Sequence, residues 1–328
     1  MRIAAASARA LTAVAECKRR VRRDWLPTHW MSDTLGAREW PARHASYTRP
    51  AYHASSSQPA VAAPAMVDLS KPAVFTDSLQ TWSDATRFDV ANLEQQLADA
   101  EWAVGDDDDE EGMAVTMLLA DYLTYARHQR DDAPLYIFDD SILEHESSLS
   151  VAYAAPPCLP NDLMGAMPDR PPHRWVLIGC ERTGSAPHQD PHATAAWNTV
   201  VSGRKRWVLF PPDVPEAAIF PDVDPGGVAR TSASHWLMDV YPRLGALNGI
   251  EVEQKAGETV YVPSQYWHCA VNLELTVAVT ANFVHEGNVA AVVASMHTDY
   301  PVLSASLERR AMRAALAECG AAAGAERE

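Results

Sequence analysis

Short apolar runs separated by Pro, Gly and Asp dominate the second half of the chain. The clearest runs are rich in β-branched and aromatic residues: RWVLIGC (174–180), AWNTVV (196–201), RWVLFPP (206–212), ETVYVP (258–263) and LTVAVTANF (275–283). Strands of a sandwich or a barrel have this pattern. The pattern therefore predicts a mainly β core with polar turns between its strands.

Helical spacing of apolar residues occurs outside these runs. From Asp89, a candidate N-cap, apolar residues recur at helical spacing to about Ala103. The stretch LLADYLTYARHQ (118–129) and the apolar and arginine pattern over 302–316 predict two further helices. We therefore expect an α+β protein in which helices flank the β core.

Composition shifts suggest where the chain divides. Residues 53–66, HASSSQPAVAAPAM, have no periodicity and are typical of a flexible linker or insertion. We therefore expect an N-terminal helical segment with that linker (1–69), a central domain (70–285) and a C-terminal helical tail (286–328). The acidic run at 106–111 is typical of a solvated surface loop.

Composition and charge narrow the function classes. Hydrophobic residues make up 47% of the 328 positions, charged residues 21%, and the formal net charge is −16. No stretch of eighteen apolar residues offers a membrane span, so we expect a soluble protein. The negative charge disfavours nucleic acid as the main partner and favours a basic protein or peptide.

The cysteines and the first residues bear on the compartment. Five cysteines without a CxxC pair favour a reducing environment. The Ala- and Arg-rich opening lacks the apolar core of a secretory signal, and it leaves open a mitochondrial transit peptide. The basic cluster at 18–23 is either a nuclear-localisation signal or a solvated helix face. We expect a nuclear or cytoplasmic location, or both.

A candidate metal site begins at His188-Gln-Asp190. On a strand, alternate side chains share a face, so this spacing offers an imidazole and a carboxylate to one metal ion. His268 lies between two predicted strands and supplies a candidate third ligand. Two histidines and one carboxylate form the facial triad of non-haem Fe(II) oxygenases.

Two other histidines compete with this set. His192 shares the face of His188 if the strand continues, but Pro191 argues against that continuation. His297-Thr-Asp299 repeats the HxD pattern among helical sequence with no histidine after it. We rank both below the first set.

A basic segment, SGRKRW, contains Lys205. An iron site that uses a dicarboxylate co-substrate needs a cation to bind the far carboxylate, and Lys205 is the candidate. Arg204 and Arg206 alternate to the other face of the predicted strand. The alternative is a basic turn between two strands.

The ordered segments HQDPHATAAWNTVVSGRKRWVLFPP and GETVYVPSQYWHCAVNLELTVAVTANF resemble the core of the JmjC-domain oxygenases. The similarity is strongest to the subgroup of bifunctional arginine demethylases and lysyl hydroxylases. It also takes in KPAVFTDSLQTW (71–82) and DDAPLYIFD (131–139), and so covers about 70–285. The resemblance implies a double-stranded β-helix, which is the jelly-roll or cupin architecture.

The resemblance also implies roles for individual residues. His188, Asp190 and His268 would bind Fe(II), and Lys205 would pair with the distal carboxylate of 2-oxoglutarate. Further residues would line the co-substrate pocket: Tyr136, Asn198, Thr280 and Ser185. The reaction would use O2, with ascorbate as reductant, and would hydroxylate a lysine side chain or demethylate an N-methylated arginine or lysine.

The chain departs from the subgroup in the stretch before His268. Ser264 and Gln265 stand where the subgroup typically carries glycines, which puts substrate choice in doubt. The tail after residue 286 matches poorly, and by analogy with some JmjC proteins its helices would pair two protomers.

Three competing functions remain. A JmjC scaffold without catalysis would not need the full ligand set. A metal cupin that works without 2-oxoglutarate would not need Lys205. An oxygenase acting on RNA bases would not suit the negative charge.

Overall fold

A computed structural model of the chain describes residues 2–21, 53–55, 67–105, 115–129, 131, 133–165, 167–221, 232–247 and 249–325. The acidic run at 106–111 and most of the 53–66 insertion lie outside these residues. Their predicted roles as surface loop and linker stay predictions, as do the domain boundaries.

Helices and short strands alternate in the first half of the chain. The elements are α1 (Arg2–Val21), β1 (His53–Ser55), β2 (Ala73–Thr76), α2 (Val90–Leu97), β3 (Glu101–Ala103), β4 (Thr116–Leu118), α3 (Leu119–His128), β5 (Ile137–Asp139), α4 (Ile142–His145) and α5 (Ser147–Ser150). Two 3₁₀ turns, at Ser78–Thr81 and Ala85–Phe88, precede α2.

Strands dominate the second half. The elements are β6 (Arg174–Gly179), β7 (Gly184–His188), β8 (Ala195–Ser202), β9 (Arg204–Phe210), α6 (Glu216–Ile219), α7 (Ala233–His235), β10 (Ile250–Lys255), β11 (Thr259–Val262), β12 (Trp267–Asn272), β13 (Thr276–Phe283), α8 (Val289–Met296) and α9 (Pro301–Ala325). A π-helical turn at Trp236–Val240 and a 3₁₀ stretch at Tyr241–Leu247 follow α7, and a 3₁₀ turn at Pro191–Ala193 follows β7.

Two sheets form the core of the fold. The large sheet has the order β1-β2-β11-β8-β13-β6-β5, and the small sheet has the order β10-β9-β12-β7. From β6 to β13 the chain crosses repeatedly between them, and all pairings except β1 with β2 are antiparallel. This is the predicted jelly-roll of an α+β protein.

Apolar side chains from both sheets meet between them. Val74, Val260 and Val262 of the large sheet share one buried cluster with Trp207 and Leu209 of the small sheet. A second and larger cluster covers the other face of the large sheet and includes residues of α1, α2 and α3. The large sheet is therefore buried on both faces, which explains why its strands read as continuous apolar runs.

The helix predicted from Asp89 to about Ala103 is wrong in its second half. The helix ends at Leu97, and Glu101–Ala103 form β3, which pairs with β4. Trp102 is fully buried in the main core, and a short strand places it there. Tertiary packing thus overrides the local helical pattern.

The first three residues of the predicted 53–66 linker or insertion form a short strand. His53–Ser55 form β1, which pairs in parallel with β2 at the edge of the large sheet. Backbone pairing needs no apolar periodicity, so the composition of this segment gave no sign of it.

The terminal helices pack on the β core. Arg9 of α1 forms an ion pair with the buried Asp121 of α3 at 2.9 Å, and Val14 of α1 joins the main core. Leu303 and Leu307 of α9 pack in a separate cluster that includes residues of α8. Within the described ranges no helix is long and apolar enough to cross a membrane.

Candidate metal and co-substrate site

A cavity of about 530 Å³ lies between the two sheets. All eight residues that the sequence analysis assigns to the site line this cavity: Tyr136, Ser185, His188, Asp190, Asn198, Lys205, His268 and Thr280. Both sheets contribute, because alternate residues of each strand face inward. The fold therefore collects residues that are far apart in sequence.

The three candidate metal ligands come together in the wall of the cavity. His188 is the last residue of β7 and lies directly opposite His268 of β12 in the ladder. The nearest ligand atoms of His188, Asp190 and His268 all lie within 4.8 Å of one another. The HxD argument assumed that Asp190 lies on the same strand as His188. In the structure Asp190 lies two residues beyond the end of that strand.

Backbone hydrogen bonds orient both imidazoles. His188 Nδ1 lies 2.8 Å from the carbonyl oxygen of Ala186, and His268 Nδ1 lies 3.0 Å from that of Tyr266. A carbonyl only accepts, so each Nδ1 carries a proton and Nε2 is the nitrogen left to bind a metal. Burial, reinforced by His188 and opposed by Asp190, lowers the pKa of His268 to about 4, which keeps the ring neutral as a metal ligand must be.

One carboxylate oxygen of Asp190 accepts a hydrogen bond, and the other has no hydrogen-bond partner among the described residues. Asn282 Nδ2 donates to Asp190 Oδ1 at 3.3 Å and to Thr194 Oγ1 at 3.0 Å. Asp190 Oδ2 is buried and has no hydrogen-bond partner among the described residues. It lies 3.9 Å from His268 Nε2. Two imidazole nitrogens and one unpartnered hard oxygen fit a divalent iron ion.

Lys205, the candidate for binding a co-substrate, is a buried cation that lines the same cavity. It lies on β9 of the small sheet, the residue is 4% exposed, and burial lowers its pKa to about 8. Asp190 contributes the only carboxylate among the described lining residues. A buried cation without a counter-ion beside a cavity fits an anionic ligand, since an uncompensated buried charge is costly.

Several polar residues line the same cavity as Lys205. Asn198 of β8 and Thr280 of β13 are directly paired, and Asn198 Oδ1 is buried without a partner in the described part of the chain. Thr280 Oγ1 donates to the Trp197 carbonyl at 2.8 Å. Tyr136 and Ser185 meet at the cavity edge, where their hydroxyl oxygens lie 3.4 Å apart.

The competing residues lie elsewhere. His192 packs edge-on against Tyr300, with ring centroids 5.3 Å apart, and does not line the cavity. His297 and Asp299 are exposed beyond the end of α8. Arg206, on the other face of β9 as predicted, forms a buried ion pair with Glu251 at 2.6 Å.

Sequence reasoning missed two polar residues of the cavity. Asn282 holds Asp190, and Asn272 donates to Thr183 Oγ1 at 2.7 Å while its Oδ1 is buried without a partner among the described residues. A signal existed for Asn282, because it stands two residues after Thr280 and so shares its face. Asn272 lies opposite Lys205 on the neighbouring strand, a pairing that only the register shows.

Comparisons with known proteins agree with this architecture. Residues 59–288 match the family model for the cupin-like domain. The chain is 36% identical over 240 residues to lysine-specific demethylase JMJ21 of Arabidopsis thaliana, an alignment that spans 71% of this chain and 25% of the relative. It is 36% identical over 222 residues to the bifunctional arginine demethylase and lysyl-hydroxylase psr-1 of Caenorhabditis elegans, with 65% and 55% covered.

A more distant relative carries the cofactors in its name. Human 2-oxoglutarate and iron-dependent oxygenase JMJD4 is 32% identical over 189 residues, which cover 53% of this chain and 44% of the relative. The chain thus spans between a quarter and about half of the length of these three relatives. The matched residues contain every strand of the two sheets except β1, together with the His-Asp-His set, and the chain belongs to the family of cupin-like domains of the JmjC type.

Proposed function

We propose that the protein is an Fe(II)- and 2-oxoglutarate-dependent oxygenase that acts on a protein side chain. The observation that carries the proposal is one cavity lined by both a candidate metal-ligand set and a buried cation. The His-Asp-His set has an unused carboxylate oxygen, and Lys205 lines the same cavity. A metal cupin without a dicarboxylate ligand would have no use for such a lysine.

Each residue then has a definite task. His188 and His268 would hold Fe(II) through Nε2, and Asp190 through its free carboxylate oxygen. Lys205 would pair with the distal carboxylate of 2-oxoglutarate. The cavity positions that would complete the co-substrate contacts are Tyr136, Ser185, Asn198 and Thr280.

With iron and 2-oxoglutarate bound, a site of this class reduces O2, oxidises 2-oxoglutarate to succinate and CO2, and inserts the second oxygen atom into a substrate C–H bond. The chain contributes orientation and exclusion of water. The Nδ1–H groups of its two imidazoles donate to backbone carbonyls, which orients each ring and leaves Nε2 to bind the metal. Ascorbate would serve as the reductant that keeps the iron ferrous.

A basic protein or peptide is the substrate class that the surroundings favour. Phe138 and Trp175 line the cavity as partly exposed rings with centroids 5.5 Å apart, and such faces attract a cationic side chain. The net charge of −16 favours the approach of a basic segment. Hydroxylation of a lysine carbon gives a stable product, whereas hydroxylation of an N-methyl group releases formaldehyde and so demethylates.

A nuclear or cytoplasmic location accords with the cysteines. Among the described residues, Cys17, Cys158, Cys180 and Cys269 are buried and form no disulfide, as in a reducing compartment. We also propose that two copies pair through the C-terminal helices, where Val302 and Met312 of α9 are exposed.

Succinate formation tests the proposed reaction. Purified protein is incubated in air with Fe(II), 2-oxoglutarate and ascorbate, with and without a pool of lysine- and methylarginine-containing peptides. We expect slow succinate release that the peptides increase, and no release from the Asp190→Ala or Lys205→Ala variants.

The outcome also separates the alternatives. Succinate from the wild type alone would establish the oxygenase, and mass spectrometry of the peptides would distinguish a gain of one oxygen atom from loss of a methyl group. A folded, iron-loaded wild type that forms no succinate would contradict the proposal and favour a scaffold or a cupin that works without 2-oxoglutarate.

A further inference from the structure

The turn that carries Asp190 is the least regular part of the metal site. The β7–β12 ladder ends at the pair of His188 and His268, so no backbone ladder reaches Asp190. His192 and Ala193, which follow in the same turn, both have left-handed backbone angles, with φ of 56° and 54°. Two consecutive non-glycine residues in this region are unfavourable, so other contacts must hold the turn.

Two hydrogen bonds tie this turn to the loop that precedes His268. Ser264 Oγ donates to the Ala193 carbonyl at 2.6 Å, and Gln189 Nε2 donates to the Gln265 carbonyl at 2.6 Å. They lie on either side of Asp190 in sequence. We call these two bonds the clamp.

The clamp joins the two segments that bear the metal ligands. Gln189 stands between His188 and Asp190, and Ser264 stands four residues before His268. A longer contact from Asn288 Nδ2 reaches the same Ala193 carbonyl at 3.5 Å. The backbone ladder between β7 and β12 stops at the two histidines. Beyond it, the clamp links the turn that carries Asp190 to the loop that precedes His268.

The serine hydroxyl is a feature of this chain's own loop. Ser264 stands at a position where a glycine would offer no donor, and Gln265 adopts a left-handed φ of 62° that glycine would adopt more easily. The loop therefore contains an unfavourable backbone conformation at Gln265 and, next to it, the hydroxyl group of Ser264. Neither Ser264 nor Gln189 lines the cavity, so neither residue contacts the proposed metal or co-substrate directly.

We propose that Ser264 and Gln189 are positioning residues that hold the carboxylate of Asp190 in place to bind the metal together with His188 and His268. The inference rests on the proposed function, because it assumes that these three residues bind a divalent metal. Loosening the clamp should weaken metal binding without unfolding the protein, because Gln189 is exposed and Ser264 is only partly buried. Loss of an outer hydrogen bond at a metal site typically weakens metal binding about 10- to 100-fold.

Mn(II) binding to the full chain tests the clamp without turnover. Free Mn(II) is measured by electron paramagnetic resonance during titration of the wild type, Ser264→Ala, Gln189→Met and the double variant, and Tm is measured for each. We expect the double variant to raise the Kd for Mn(II) at least about tenfold, each single variant to raise it less, and Tm to change by no more than in the control.

Ser83→Ala is the matched control, because the Ser83 hydroxyl also donates to a backbone carbonyl, that of Val151 at 2.8 Å, outside the site. Ser264→Thr keeps a hydroxyl and should restore affinity. A Kd within twofold of the wild type in the double variant, or a loss of affinity that merely follows a loss of Tm, would overturn the clamp. Wild-type binding that survives Asp190→Ala, or no binding at all, would instead overturn the proposed metal site and the clamp with it.

Discussion

The ammonium group of Lys205 is buried in the cavity, and burial alone lowers its pKa to about 8. Among the described residues around the cavity, no carboxylate other than that of Asp190 is available to compensate it. An anionic ligand would stabilise the charged form and so bind to the protonated lysine. Affinity for 2-oxoglutarate is therefore coupled to the protonation of this one residue.

We expect the binding of 2-oxoglutarate to weaken as pH rises through about 8. Below that pH the free protein already carries the proton that the ligand needs, whereas above it each pH unit should cost up to about tenfold in affinity. Calorimetric titration of the Mn(II)-loaded protein with 2-oxoglutarate between about pH 7 and pH 9.5 measures this dependence.

The Lys205→Arg variant tests whether deprotonation of Lys205 causes the loss of affinity, because an arginine stays protonated between about pH 7 and pH 9.5. The variant should bind 2-oxoglutarate more weakly at pH 7, since its planar guanidinium has a different shape, but its affinity should not fall between pH 8 and 9.5. An equally steep fall in this variant would assign the pH dependence to another group.

For individual residues, the sequence indicated candidate site residues better than it indicated which residues lie opposite them in the sheet. His188, Asp190, His268 and Lys205 were predicted from spacing, charge and the family resemblance, and all four line one cavity. Asn272 was missed, because its importance lies in being opposite Lys205 on a neighbouring strand. No local pattern expresses such a pairing.

At the scale of elements, the pairing of β7 with β12 sets the distance between the two histidines. Gly184 at the start of β7 allows a close approach, because a Cβ at this position would lie 1.9 Å from the Ala270 carbonyl oxygen. A side chain at Gly184 would therefore push the two strands apart.

Gly184→Ala should lower stability by about 1–3 kcal/mol and weaken Mn(II) binding. The clash is with backbone, which cannot rotate away as a side chain would. Urea denaturation measures the free energy of unfolding, and electron paramagnetic resonance measures the metal affinity of the variant.

Gly245→Ala is the matched control, because a Cβ there would meet nothing within 4 Å. It should change the free energy of unfolding by less than about 0.5 kcal/mol. Equal effects of the two substitutions would contradict a specific role for the close approach of β7 to β12.

The sequence predicted strands well where both faces of the strand are buried and its residues are mostly apolar. The runs at 174–180, 196–201, 206–212, 258–263 and 275–283 correspond to β6, β8, β9, β11 and β13, with ends shifted by one or two residues. Strand β10, with the sequence IEVEQK, was missed because it is an edge strand with mixed polarity. Strand β3 was taken for helix because its three residues follow a real helix without a break in pattern.

At the scale of the whole molecule, the C-terminal helices are the proposed dimer contact. Val302 is 80% exposed and Met312 is 57% exposed on α9, whereas Leu303 and Leu307 anchor the same helix to the rest of the protein. Large apolar groups that remain exposed on an anchored helix favour contact with a second copy.

Light scattering coupled to size-exclusion chromatography should report a dimer for the wild type. Val302→Glu combined with Met312→Glu should shift it to a monomer, because two charges would have to be buried in the contact. The exposed Leu11 of α1 offers a control, and Leu11→Glu should leave the mass unchanged. A monomeric wild type would contradict the proposed pairing.

The sequence by itself determined the β core, the flanking helices, the family resemblance and the identity of the candidate ligands. The core and the helices follow from apolar periodicity, and the candidate ligands follow from the HxD spacing together with the resemblance to the JmjC oxygenases. Tertiary structure alone decided that Asp190 lies in a turn beyond β7, that Asn282 holds its carboxylate, and that Ser264 reaches across to Ala193. Each of these depends on strand register and on contacts between segments far apart in sequence, which no local pattern encodes.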